Sequence, residues 1–136
     1  MKLSKRYAIG SVVTTLLLVC GCATTQPEVE NTIRVPKPFS EVLTRVSLGM
    51  ESNVKHRITF TENAVKYRKE EISRDITRFE VWTWAPDLGD LPVFAHVDVM
   101  RVSGSATNIR IRETPPQGTH KRYITAKIRG WFPSAQ

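Results

Sequence analysis

Cysteine is nearly absent. The 136 residues contain two, Cys20 and Cys22, both near the N-terminal end. A chain so built has no disulfide framework to staple its fold. Long apolar runs are missing too. The most apolar stretch, Tyr7 to Val19, has 13 residues, where a membrane-spanning helix takes about 20. Glycine is sparse, with 7 residues and no glycine-rich phosphate loop. Ser103-Gly104-Ser105 lacks the strand-to-helix setting of a nucleophile elbow and reads as a turn. The three histidines, His56, His96 and His120, are scattered and show no metal-ligand spacing. His96 and Asp98 share a strand face and are the one acid–base pairing on offer, equally well explained as a polar edge. There is no internal repeat. These absences argue against an enzyme and imply no cofactor and no metal. They also exclude disordered, collagen-like and multi-spanning classes, since 40% of the residues are hydrophobic and 24% charged.

What is present begins at the N-terminus. Lys2, Lys5 and Arg6 form a basic head, the apolar run follows, and small residues come next. That order reads as a secretory signal. Val19-Cys20-Gly21-Cys22 then resembles the lipobox of bacterial lipoproteins: an aliphatic residue, a variable one, a small one, then cysteine. The resemblance covers residues 1–22. It implies diacylglyceryl attachment to the Cys22 sulfur and cleavage between Gly21 and Cys22. Thiolate is the right nucleophile for that alkylation, and Gly21 leaves room for a peptidase. Cys20 departs from the usual small residue at a permissive position. Removal of residues 1–21 leaves a thiol-free chain of 115 residues, long enough for one independent core. Two acyl chains hold a protein stably on a membrane. Ala23 follows the cysteine. In the enterobacterial members of this family, Asp at that place retains the protein in the inner membrane. The resemblance therefore implies the outer membrane, with the domain facing the periplasm.

Residues 22–31 read as the lipidated cysteine and a short polar tether, and residues 32–136 as a single domain. Thr32 to Val35 is a strand candidate ended by Pro36 and Pro38. Phe39, Val42, Leu43 and Val46 recur at helical spacing, with Ser40 as a cap and Gly49 as a stop. Val54, His56, Ile58 and Phe60 alternate as a half-buried strand does, before a turn at Thr61-Glu62-Asn63. Val65 with Tyr67, Thr77 to Trp84, Val93 to Val102 and Asn108 to Glu113 add four more strands. Ile124, Ile128 and Trp131 mark a closing amphipathic helix ended by Pro133. The order β-α-β-β-β-β-β-α predicts an α+β fold: an antiparallel sheet of about five to six strands with both helices on one face. That order is similar to helix-grip domains, including small domains of outer-membrane assembly lipoproteins. The similarity is in element order alone, and fold does not fix function.

Phe79-Glu80-Val81-Trp82-Thr83-Trp84 is apolar on both faces of one strand. Trp82 and Trp84 oppose Phe79 and Val81. They either pack under a neighbouring element or form a docking surface, where tryptophan is enriched. The following loop, Ala85 to Pro92, exposes Leu88 and Leu91 unless they fold back; its Asp87 and Asp90 read as turn formers more readily than as calcium ligands. Three of the seven net positive charges lie in the signal, leaving +4. From Arg101 onward seven cations, among them Lys121, Arg122, Lys127 and Arg129, face Glu113 alone. This is either a solvated surface or an attraction to an acidic partner such as lipid headgroups, a cell-wall polymer or a protein. Nucleic acid is excluded: the aromatics do not interleave with the basic positions. The expectation is a non-enzymatic, lipid-anchored accessory subunit of an envelope secretion or assembly complex. Trp82, Trp84, Leu88, Leu91, Lys121, Arg122, Lys127 and Arg129 are its candidate partner-binding residues. The alternative is a small-ligand domain with a pocket between sheet and last helix, lined by Trp82, Trp84 and Trp131.

Overall fold

A computed structural model describes residues 27–54, 64–114 and 123–135. Five strands form one antiparallel sheet: β1 (Val29–Val35), β2 (Ala64–Ser73), β3 (Ile76–Ala85), β4 (Gly89–Arg101) and β5 (Thr107–Glu113), in the order β1-β5-β4-β3-β2. Two helices, α1 (Phe39–Gly49) and α2 (Tyr123–Trp131), complete the α+β fold. Alternation explains which face they cover. Ile33 pairs with Ile109, Ile109 with Val99, Ile111 with Val97, and Val97 with Phe79. These rows meet Val42, Val46, Met50, Ile124 and Ile128 in one core. Side chains of the opposite parity face away from the helices.

The helices are held by specific contacts. The start of α2 is met by a residue from the sheet. Glu113, buried at the end of β5, accepts the backbone N–H groups of Ile124 (2.8 Å) and Thr125 (3.0 Å) and the Thr125 hydroxyl (2.9 Å). A strand carboxylate thus satisfies the orphan donors of a helix start and complements its dipole. On the other helix, Phe39, Val42, Val46 and Gly49 are buried. Thr107 ties β5 to the chain entering α1 by donating its hydroxyl to the Lys37 carbonyl, 2.9 Å away.

Several elements differ from the sequence reading. β1 begins at Val29, inside the segment read as tether, because an edge strand with one solvated face accommodates Glu30 and Thr32. Ser40 does not cap α1: Pro38 occupies the N-cap and no side chain caps it. Gly49 does not stop the helix, which runs on as a π-helical turn over Met50–Val54. A Cβ at Gly49 would lie 2.6 Å from the Trp131 ring, so this glycine permits close approach of the helices. Val54 is therefore helical, and the rest of the strand expected to Phe60, with its His56 and the Thr61-Glu62-Asn63 turn, lies outside the described residues. β2 extends to Ser73 through the charged run Arg68-Lys69-Glu70-Glu71, which suits an edge strand exposed on both sides. The expected loop over Ala85 to Pro92 is largely strand: Ala85 pairs with Gly89, whose φ is 71°, and Pro86 to Leu88 form a tight turn.

Candidate docking face

The sheet face away from the helices is built in rows. Glu30, Arg112, His96, Glu80 and Arg68 lie in register across all five strands, and Thr32, Arg110, Asp98, Arg78 and Glu70 form the next row. Asp98 sits at the centre with its side chain 1% exposed. Arg78 donates to it from Nε (2.7 Å) and Nη2 (3.1 Å), and Arg110 from Nη2 (2.9 Å). Burial alone pushes the Asp98 carboxyl up; the hydrogen bonds and charges of the two arginines outweigh it and hold it below the ordinary carboxylate value. The same contact raises Arg78. In the neighbouring row Glu80 pairs with Arg68 and lies 3.7 Å from His96 Nε2. His96 and Asp98 do share a face, but each engages other groups: Glu80 for the first, two arginines for the second.

Beyond these rows the face turns apolar. Trp82 and Trp84 are half-buried and lie on the side of Glu80, opposite Phe79 and Val81. The Trp82 indole N–H donates to Asp90 (2.9 Å), and the Lys66 ammonium stands 5.3 Å from the centre of the Trp84 ring. A register shift between the Val81–Ala95 and Trp82–Val93 pairs turns Val93 toward this side while Phe94 packs on the core. Arg68, Glu80, Trp82, Asp90, Leu91 and Val93 line an open groove of about 200 Å³. Asp90 thus serves Trp82 and Lys66 from within a strand. Among the described residues no three His, Cys, Asp or Glu side chains converge as metal ligands.

The candidate residues fall into separate places. Trp82, Trp84 and Leu91 share the open face, and Leu88 projects from the β3–β4 turn, 73% exposed. Lys127 lies over the Tyr123 ring and Arg129 is exposed, both on α2 behind the sheet. Lys121, Arg122, Gly21 and Cys22 lie outside the described residues. The pocket imagined between the three tryptophans does not form: Trp131 packs against Gly49 on the helix side, with the sheet between it and Trp82. Side chains with no exposure, Val42, Val46, Ile124 and Ile128, fill the space between sheet and helices. The basic excess of the C-terminal third is partly matched by acids earlier in the chain, Asp98 in β4 for Arg110 and Asp75 in the β2–β3 turn for Arg101. Sequence reasoning missed Lys66, Arg68, Arg78, Asp98 and Val93 as part of this face. Parity signals four of them, since Arg78, Glu80, Trp82 and Trp84 keep one period and strand pairing brings Lys66, Arg68 and Asp98 beside them. Val93 is reached only through the register shift. No known protein family, curated protein or solved structure matches the chain.

Proposed function

We propose that this protein is a lipid-anchored envelope subunit, held by acyl chains on Cys22 in the outer membrane and facing the periplasm, that binds another envelope protein without catalysing a reaction. The observation that carries the reading is a sheet face that no described element covers. A sheet side rich in paired charges, with Trp82, Leu91 and Val93 grouped at one end, offers an aromatic anchor beside a polar rim. That is the composition of an interface centre and its surround. The lipobox-like Val19-Cys20-Gly21-Cys22 supports the anchor, and Ala23 supports the outer membrane as its place.

The test has two parts. Cys22→Ser abolishes the acyl mass shift and releases the protein from membranes into the soluble fraction; an unchanged distribution defeats the anchor. A photo-crosslinking side chain at position 82 then yields one discrete protein adduct in intact cells, lost on Arg112→Glu and Arg68→Glu. Absence of any adduct from position 82, alongside one from α2 at Lys127 or Arg129, moves the interface to the helix side.

A further inference from the structure

Strand pairing fixes the end of the sheet at which the chain enters the domain. β1 pairs with β5 and β5 with β4, each antiparallel, so β1 and β4 start at the same end of the sheet. Val29, Glu113, Ala95 and Val81 lie in one row. β5 and β1 go no further, but β3 continues to Ala85, β4 begins at Gly89, and β2 begins at Ala64 opposite Trp84. A three-stranded arm therefore overhangs the row where the chain enters the fold. Four strand residues and a turn give it roughly 15 Å of reach. Between Cys22 and Val29 there are six residues, at most about 25 Å of extended chain. The arm and the start of β1 lie at the same end of the body, and the tether at full extension exceeds the arm by only about 10 Å.

The chemistry of the arm suits the same destination. Its tip carries Leu88, 73% exposed, and Pro86, also exposed. Behind the tip Trp84 is half-exposed with the Lys66 ammonium over its ring. Aromatic rings with a lysine reaching past them are the pattern of side chains at a bilayer interface. The arm is not a polybasic binder. Asp90 is held by Trp82 and Lys66, and Asp87 at the turn adds a negative charge. Attraction to anionic headgroups is thus not its source of affinity, and its contact depends on apolar burial.

We infer that the β3–β4 arm rests on the bilayer that holds the Cys22 acyl chains, with Leu88 and Trp84 at headgroup depth, so that the domain stands in a set orientation with the Trp82 groove just above the membrane. The inference rests on the anchoring reading above. It makes the arm a second, non-covalent membrane contact, too weak alone to bind but effective once the tether holds it within reach.

The test uses the acylated full chain, purified from membranes and reconstituted in phosphatidylcholine vesicles. Acylated Cys22 has no thiol, so Leu88→Cys offers one labelling site for an environment-sensitive fluorophore. Ser103→Cys, in the exposed β4–β5 turn at the far end of the sheet, is the control. With nitroxide-labelled phosphatidylcholine, fluorescence at position 88 falls roughly twofold and that at position 103 is unchanged, with little effect of added salt. Equal emission at the two positions, from protein that still floats with the vesicles, overturns the arm contact and leaves the anchor standing. Protein that fails to float, with an unmodified thiol at Cys22, overturns both. A position-88 fluorophore quenched by no lipid, with a photo-crosslinking side chain at the same position joining a protein in native membranes, also overturns it and assigns the tip to a protein partner.

Discussion

At position 98 a carboxylate is 1% exposed between two guanidinium groups that remain 27% and 36% exposed. Its geometry is that of a charge brought out of water and compensated on both flanks. Removing the charge while keeping the shape leaves two arginines facing a neutral amide. Asp98→Asn costs about 1–3 kcal/mol of stability, the range for losing buried charged hydrogen bonds. The pH dependence has a definite sign. The folded carboxyl lies below its unfolded value, so the unfolded chain takes up its proton first. The stabilisation is complete above the unfolded value near pH 4 and disappears as pH falls through the folded one. Chemical denaturation between about pH 5 and pH 2 shows an acid limb that is shallower in the Asn variant. A parallel acid limb in both proteins removes Asp98 from its origin. Tyr67 provides the opposite case: its hydroxyl donates to Glu51, which together with burial pushes it up to about 12.

At the scale of the element, alternation decides what a residue is for. Ile111 and Arg112 are neighbours in β5, one wholly buried and one on the open face. Ile111→Ala removes methylene groups from the filled core and costs about 2–5 kcal/mol. Arg112→Ala stays within about 0.5 kcal/mol, since its Nε is buried without an acceptor and little is lost with it. Urea midpoints of the two variants measure the contrast; equal losses contradict the facing described for β5. The contact of α1 with α2 gives a second case. Alanine favours a helix over glycine by about 1 kcal/mol, yet Gly49→Ala drives a methyl group into the Trp131 ring. The clash wins, with a net loss of about 1–2 kcal/mol. Combining it with Trp131→Phe costs less than the sum of the single changes in a double-mutant cycle. Strict additivity places the strain elsewhere.

At the scale of the whole molecule, the two sheet faces divide the work. One face carries the apolar core against the helices, and the other carries rows of paired charges with a half-buried aromatic end. The β3–β4 arm and the start of β1 lie at one end of the sheet, so under the proposed anchoring the connectivity would set the orientation. A prediction at this scale concerns tether length. A 20-residue glycine-serine insertion between Thr25 and Gln26 spans roughly 25 Å on average and leaves flotation with vesicles intact. It dilutes the arm from the bilayer, so lipid quenching at position 88 falls by about half or more. Undiminished quenching shows that the arm binds membrane by itself, independently of the tether.

Much of this was open to reading along the chain. Period two exposed β3 and β5 and put Trp82 and Trp84 opposite Phe79 and Val81. Period 3.6 found α1 and α2, and the element order predicted an antiparallel sheet with helices on one side, as the structure has it. These are local matters: a side chain's parity or helical phase follows from backbone geometry alone. What lay beyond that reach depends on partners distant in sequence. Only the assembled sheet set Arg78, Asp98 and Arg110 in one row, since register joins residues from three strands. The same is true of Glu113 as the cap of a later helix and of Gly49 as the seat of Trp131, where the sequence signals pointed to a surface charge and a helix stop. The charge of the C-terminal third illustrates the reason most plainly. Counted along the chain it is a basic block, but folding sets two of its members, Arg101 and Arg110, against the earlier acids Asp75 and Asp98, because electrostatic energy depends on distance in space.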